Sequence, residues 1–418
     1  MMRLGFPSVT VVPEVTMRAV SSLLALALTT PMLAAGALAT AGPAAAAEAE
    51  ADVWKVPSHA SITIKGRGYG HGHGMSQYGA EGAARQGLTH REIAEFYYPG
   101  TEWGTSKGRI SVLLTADTTD DLVVNARSGL TVRDTAVKGR VALPDNGAKR
   151  WRVAVGKDGV NRVSYRDRRW QPWRDLTGQG EFYAGGEPVT LVTPSGERSY
   201  RGRLRVAVTA TGERVTVNDV DLESYLRGVV PLEIPALWST EAVRAQAVAA
   251  RTYASYERRH PQSRAYQLCD TWSCQVYGGV DAEHPASDRA VDATAGSILT
   301  SDGAPAFTQF GSSSGGWTSA GSVPYLPAKR DPYDGWSGNP VHTWTTTVDD
   351  ARLEQAWPAL GDLRRIAVTA RDGNGRWGGR VRTIAMRGSQ GKVVVSGDTF
   401  RAVLGLRSTW VTFRVAAR

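Results

Sequence analysis

The chain has 418 residues, 42% of them hydrophobic and 21% charged, which excludes a disordered polymer and supplies apolar material for one large or two ordinary domains. Its 46 glycines and 20 prolines fall short of a collagen-like or low-complexity composition. Lys+Arg 49 against Asp+Glu 40 gives +9, which favours anionic partners, and two cysteines alone, Cys269 and Cys274, exclude a disulfide scaffold and a four-cysteine zinc site.

Met17-Arg18 precedes an apolar run, 19–41, and then the small residues Ala44 to Ala47. A charged start, an apolar stretch and small cleavage positions predict a secretory signal peptide over 1–47, with Met17 as an alternative initiator. An uncleaved anchor is the competing reading, weakened by Pro31 and Gly36. No later apolar run approaches a span, so the remainder is expected outside the membrane, secreted, with no nucleic acid as partner.

The next segment, 48–104, carries glycines at 66, 68, 70, 72 and 74. A dinucleotide fingerprint would need glycine at 71 or 73, where histidines stand, and no Lys-Ser/Thr pair makes a phosphate loop. Alternating glycine lets a backbone approach a ligand closely, and His71, Ser76 and Gln77 offer donors and acceptors suited to sugar hydroxyls or amides. The competing reading is a tight turn with a packed histidine. His71 and His73 share one side of an extended chain, but no third ligand is identifiable, so no metal site is expected.

Residues 105–200 alternate apolar and polar positions in short runs such as Ile110-Ser-Val-Leu-Leu and Trp151-Arg-Val-Ala-Val, which predicts strands. Glu233 follows between Pro231 and Pro235, among Val229, Val230, Leu232, Ile234 and Leu237. Burial there would raise its pKa toward the range of a general acid; pairing with Arg227, Arg244 or Arg251 is the alternative. A helix is predicted over 242–256, capped by Ser239, with Val243, Ala247, Ala250 and Ala254 forming a small-residue face for close packing. More strands and glycine-rich turns follow, at 311–316 and 372–379, and no repeat of fixed period occurs. The fold class expected is α+β: β-rich, with a central Ala-rich helix.

Several long motifs agree with one family. Tyr225-Leu-Arg-Gly-Val-Val-Pro-Leu-Glu-Ile-Pro, running on to Glu241-Ala-Val-Arg-Ala-Gln-Ala-Val-Ala-Ala-Arg-Thr-Tyr-Ala, resembles the signature of the stage II sporulation protein D / amidase-enhancer LytB family. Gly66 to Ala80, Phe96-Tyr-Tyr-Pro-Gly-Thr, Phe310 to Trp317, Val323-Pro-Tyr-Leu, Asp331-Pro-Tyr-Asp and Leu404-Gly-Leu-Arg-Ser-Thr-Trp resemble it too. The likeness covers 66–104 and 201–414; 105–200 resembles the family only loosely.

The resemblance implies a lytic transglycosylase that cleaves peptide-free peptidoglycan glycan strands, with Glu233 at the position of the catalytic glutamate. A non-catalytic wall-binding enhancer of an amidase is the alternative, and a serine hydrolase built on Ser312, Ser313 or Ser314 is a distant third. It implies a histidine-glycine segment permuted to the N-terminal side, a family segment at 48–104, a β-rich region at 105–200 and a catalytic core at 201–418. Substrate contacts are expected from His71, Ser76, Gln77, Gln246, Arg251, Tyr277, Ser313 and Ser314. Partners would be glycan strands, anionic wall polymers and an amidase. Some members bind zinc beside the second cysteine; here Ser273 stands where they carry histidine. A Cys269–Cys274 disulfide is therefore expected and no cofactor, with zinc assisted by His260 or His284 as the alternative.

Overall fold

In the strand Ala60–Arg67, fully buried Ala60, Ile62 and Ile64 alternate with more open Ser61, Thr63 and Lys65, the period of a sheet with one dry face. It lies between Thr343–Asp349 and Val411–Ala417 and pairs antiparallel with both. The computed structural model describes residues 52–418; the expected signal peptide at 1–47 lies outside the described residues. A four-stranded sheet made of Asp52–Lys55, Leu363–Arg371, Val381–Gly388 and Lys392–Ser396 joins this three-stranded one around a shared core that includes Ile366, Ile384, Met386, Phe400 and Phe413.

A larger core lies elsewhere. Residues 109–221 supply a six-stranded sheet, ordered from Trp170–Leu176 through Leu122–Asn125 to Gly196–Tyr200, and all but one short strand of a seven-stranded sheet that includes Arg203–Val208 and Arg214–Asp221. The exception is Leu268–Cys269, which adds parallel to Arg109–Leu113. The inward rows of both sheets, among them Trp151, Val153 and Leu191 from one and Val112, Phe182 and Leu204 from the other, merge in one cluster.

The same cluster takes in the helices α1 (Gln77–Arg85), α2 (His90–Tyr97), α3 (Leu222–Arg227), α4 (Val230–Glu233) and α5 (Thr240–Arg259). α5 begins two residues before the expected start and runs three beyond the expected end. Sequence pattern gave it one small face, but Ala242, Ala245, Ala247, Ala249, Ala250 and Ala254 are buried around most of its circumference. It packs against α1, α2 and α3 and the strand Ser297–Ser301, and only short side chains let so many backbones approach one axis. Ser239 precedes it without a side-chain cap; its own N–H donates instead to Glu81 Oε2 at 2.8 Å, which ties α5 to α1.

The architecture is mixed α+β with strand predominant, 37% against 22% helix. Residues 201–418 divide between the two cores: α3 to α5 belong to the larger, while strands from Thr343 onward close the smaller with Ala60–Arg67. No described helix is long and apolar enough to cross a membrane.

Because Ile64 is fully buried in the strand that both neighbours share, Ile64→Ala is expected to cost about 2–5 kcal/mol in denaturant unfolding. A loss below about 1 kcal/mol would mean that this core does not limit stability.

Candidate active site around Glu233

The glycine run is shaped first by the protein's own backbone. Gly72 and Gly74 have φ of +84° and +64°, the left-handed region that glycine enters without strain. A Cβ on Gly74 would stand 2.0 Å from the Gln309 carbonyl oxygen, and one on Gly72 would meet the Arg380 guanidinium at 2.2 Å. The close approach expected toward a ligand is, at these two positions, an approach to neighbouring protein. It lets Met75–Ser76 pair parallel with Phe310–Gly311.

Ser76 then caps α1, accepting the Gly79 N–H at 3.0 Å, and its hydroxyl donates to Asp334 Oδ1 at 2.7 Å. Asp334 is fully buried and also accepts from the Ser313 hydroxyl at 2.9 Å, the Ser314 and Gly315 N–H groups, and His342 Nδ1 at 2.7 Å. Burial pushes this carboxyl up, but the bonds from His342, Ser76 and Ser313 outweigh that and hold it below its usual value. The neighbouring Asp331 accepts from Tyr97 OH at 2.9 Å and Ser314 Oγ at 2.8 Å; burial, and then the charge of Asp334, push it up.

With Ser76 fixed, Gln77 follows at the start of α1, and its side chain favours the ionised form of Glu233. Glu233 closes the short α4, whose N-terminal turn holds Pro231. Its Oε1 accepts the Val276 N–H at 3.1 Å. Of the three arginines that could have paired with it, Arg251 binds Glu223 at 2.7 Å, Arg227 binds Asp292 at 2.7 Å and Asp288 at 3.4 Å, and Arg244 binds Glu241. Desolvation therefore dominates, and the Glu233 carboxyl is raised despite the opposing effects of Val276 and Gln77.

Glu233 lines a cavity of about 300 Å³ together with His71, Tyr253, Trp272, Ser273, Cys274, Val276, Gln309 and Phe310. The ring of His71 stacks on His73 with centroids 4.9 Å apart, and its Nδ1 accepts the His73 N–H at 2.9 Å. Desolvation, then His73, Arg380 and Arg401, depress its pKa, so the imidazole is neutral near pH 7. The loop from Cys269 to Cys274 is closed by a disulfide. His260 stacks on Tyr256 and His284 caps a helix by accepting the Ala286 N–H at 3.1 Å. Among the described residues no cluster of three or more His, Cys, Asp or Glu could hold a metal ion.

The cavity thus gathers Glu233 and His71, and Gln77 acts on Glu233 without lining it. Of the other six expected substrate contacts none lines the cavity, and five, Ser76, Arg251, Tyr277, Ser313 and Ser314, are buried and hydrogen-bonded to protein groups. Ser76, Ser313 and Ser314 donate to Asp334 and Asp331. Arg251 is fully buried against Glu223 and the Val291 and Ser297 carbonyls. Tyr277 donates to Asn218 Oδ1 at 2.9 Å; Gln246 is fully buried on α5 with no hydrogen-bond partner for its side-chain amide. Neither Ser313 nor Ser314 is set up as a nucleophile, since their hydroxyls donate to carboxylates rather than to a histidine base. Sequence reasoning missed Tyr253, Trp272 and Phe310, although Trp272 stands inside the two-cysteine loop and Phe310 opens the Phe310–Trp317 motif.

Residues 200–301 match the family model described as "Stage II sporulation protein". That segment contains α3, α4 with Glu233, α5 and the disulfide loop. A Stage II sporulation protein D of Bacillus amyloliquefaciens is 31% identical over 248 residues, covering 54% of this chain and 66% of the relative. Residues 200–301 form a SpoIID-family segment. The amidase enhancer of Bacillus subtilis is 38% identical over 135 residues, 31% of this chain and 17% of the relative. A stage II sporulation protein D of Bacillus subtilis is 32% identical over 165 residues, 34% of this chain and 46% of the relative. The chain thus spans under two thirds of each of these relatives, and its SpoIID/LytB segment is the part that holds Glu233.

Two outcomes are expected. Asp334→Ala, which strands several buried donors at once, is expected to cost about 3–5 kcal/mol in thermal unfolding, and a change near zero would show the network to be dispensable. Glu233 has a folded pKa above its unfolded one, so its ionisation penalises the folded state above that raised value and not below the unfolded one near 4.5. Glu233→Gln is therefore expected to melt higher than wild type at about pH 7 and to lose that advantage toward about pH 4. A pH-independent difference would contradict a desolvated carboxyl.

Proposed function

We propose that the protein is an extracytoplasmic, secreted lytic transglycosylase that cleaves peptide-free glycan strands of the bacterial cell wall. The observation that carries this reading is Glu233: a carboxyl without an ion-pair partner, raised by desolvation, and the sole acidic side chain lining its cavity. Glycoside hydrolysis ordinarily needs two carboxylates. A lone one suffices when the sugar supplies its own nucleophile.

Protonated Glu233 donates to the glycosidic oxygen as the bond from that oxygen to C1 breaks. The resulting carboxylate accepts the proton of the C6 hydroxyl of the same sugar while that oxygen bonds to C1, closing a 1,6-anhydro ring and restoring the acid. Val276 N–H and the Gln77 amide suit the carboxylate form, and desolvation suits the acid, so the group is poised between the two states. Neutral His71 has its Nδ1 engaged by the His73 N–H, which fixes the imidazole against the cavity wall.

The early position of the 66–80 segment is read as a permutation of the family's order, with the β-rich region at 105–200 as an addition beside a catalytic core that begins near 201. Partners in this reading are glycan strands and anionic wall polymers. The printed name of the amidase enhancer favours a second reading, in which the protein binds wall and stimulates an amidase without catalysis.

Digestion of purified peptide-free glycan strands separates the readings. Wild type is expected to release fragments ending in 1,6-anhydro sugars, and Glu233→Gln to be slower by about 10²-fold or more while melting no lower than wild type. Reducing ends in their place would make the protein a hydrolase; no cleavage by wild type would favour the enhancer.

A further inference from the structure

Of the thirteen tryptophans in the chain, Trp272 alone is exposed, at 87%, the highest value for any large hydrophobic side chain among the described residues. The loop that carries it is braced from several sides. The Cys269–Cys274 disulfide closes it, Leu268–Cys269 pairs with Val112 and Leu113, and the Asp270 carboxylate accepts the Thr115 N–H at 3.1 Å and the Thr115 hydroxyl at 2.7 Å. An indole held in water by so ordered a loop marks an interaction site. The same loop forms one wall of the Glu233 cavity through Trp272, Ser273 and Cys274.

The lining defines what that site accepts. It contains no lysine or arginine, its histidine is neutral, and its one acid is Glu233. No cationic side chain lines the cavity, so an anionic group would find no counter-charge in it and recognition there rests on neutral surface. Apolar Val276 and Phe310 share the lining with polar Ser273 and Gln309. An uncharged ligand with a flat C–H face and polar edges matches this surface, and a pyranose ring with hydroxyl and acetamido substituents is such a ligand.

We propose that Trp272 is the stacking platform for one uncharged N-acetylated pyranose ring of the strand, a sugar-binding position at the mouth of the cavity that holds the scissile bond at Glu233. This rests on the saccharide reading of that cavity. Stacking on a preformed loop orders only the ligand, so the contribution falls on binding.

The test titrates Glu233→Gln, which binds without turnover, with a soluble β-1,4-linked N-acetylglucosamine pentamer by calorimetry, and repeats it with Trp272→Ala and Trp272→Phe added. Alanine is expected to weaken binding about five- to tenfold and phenylalanine to restore most of it, with thermal transitions unchanged because the side chain packs on little. Indole fluorescence should shift on adding the pentamer to Glu233→Gln and not to its Trp272→Ala form. Equal affinity with and without Trp272 would overturn the platform while leaving Glu233 as the acid, and would assign the exposed indole to contact with another protein. If wild type neither binds the pentamer nor cleaves glycan strands, the saccharide reading fails and the platform with it.

Discussion

One buried carboxylate sets the position of almost everything around the cavity. Asp334 gathers donors from Ser76, Ser313, Ser314, Gly315 and His342, groups that lie on three separate stretches of chain. A dehydrated charge tolerates few arrangements of its donors, so those stretches have little freedom to slide against each other. Ser76 is at once a ligand of this carboxylate and the cap of α1, and Gln77 follows it directly. Gln77, which favours the Glu233 carboxylate, is thus anchored one residue from a ligand of that fixed charge. On the other side, His342 Nε2 lies 2.6 Å from an Arg67 Nη2, which extends the same network to the end of the strand Ala60–Arg67.

Glu233 is maintained by the opposite device. Nearby arginines exist, yet each is neutralised by another acid before it can reach this one. Asp334 receives many donors and stays ionised; Glu233 receives few and is pushed toward its protonated form. Two carboxyls in one region are thereby given different duties by their surroundings alone.

Much of this was legible in the amino-acid sequence, and the exceptions share a cause. Glu233 stood out because two prolines and five apolar residues surround it, and the alanines of α5 announced close packing. The β-rich character of 105–200 followed from alternation. Sequence could not separate Ser313 and Ser314 as structural donors from the same residues as substrate contacts, because that depends on Asp331 and Asp334, about twenty residues further on. Nor could it tell that Gly72 and Gly74 clear space for Arg380 and Gln309, which are distant in the chain. The core hydrogen bonds of Arg251 and Tyr277 were hidden for the same reason: polar side chains inside a family motif serve the core as readily as a ligand. Local pattern reports propensity and burial well. It does not report which remote partner consumes a hydrogen bond.

The smaller core carries a consequence for the order of assembly. Its central strand places Ala60 beside Ala417 and Gly66 beside Val411, so residues near the two ends of the described chain must meet before that sheet exists. Closing so long a loop costs entropy that no local contact repays, and such pairings form late in folding. The segment that follows this strand, from Arg67 to Gln77, leads directly to the Glu233 cavity. A chain lacking its last strand could still bury α5 and both large sheets, yet it would hold the cavity's histidine wall on an unpaired edge. Pairing of Val411–Ala417 with Ala60–Arg67 is in this sense a late step in building the site.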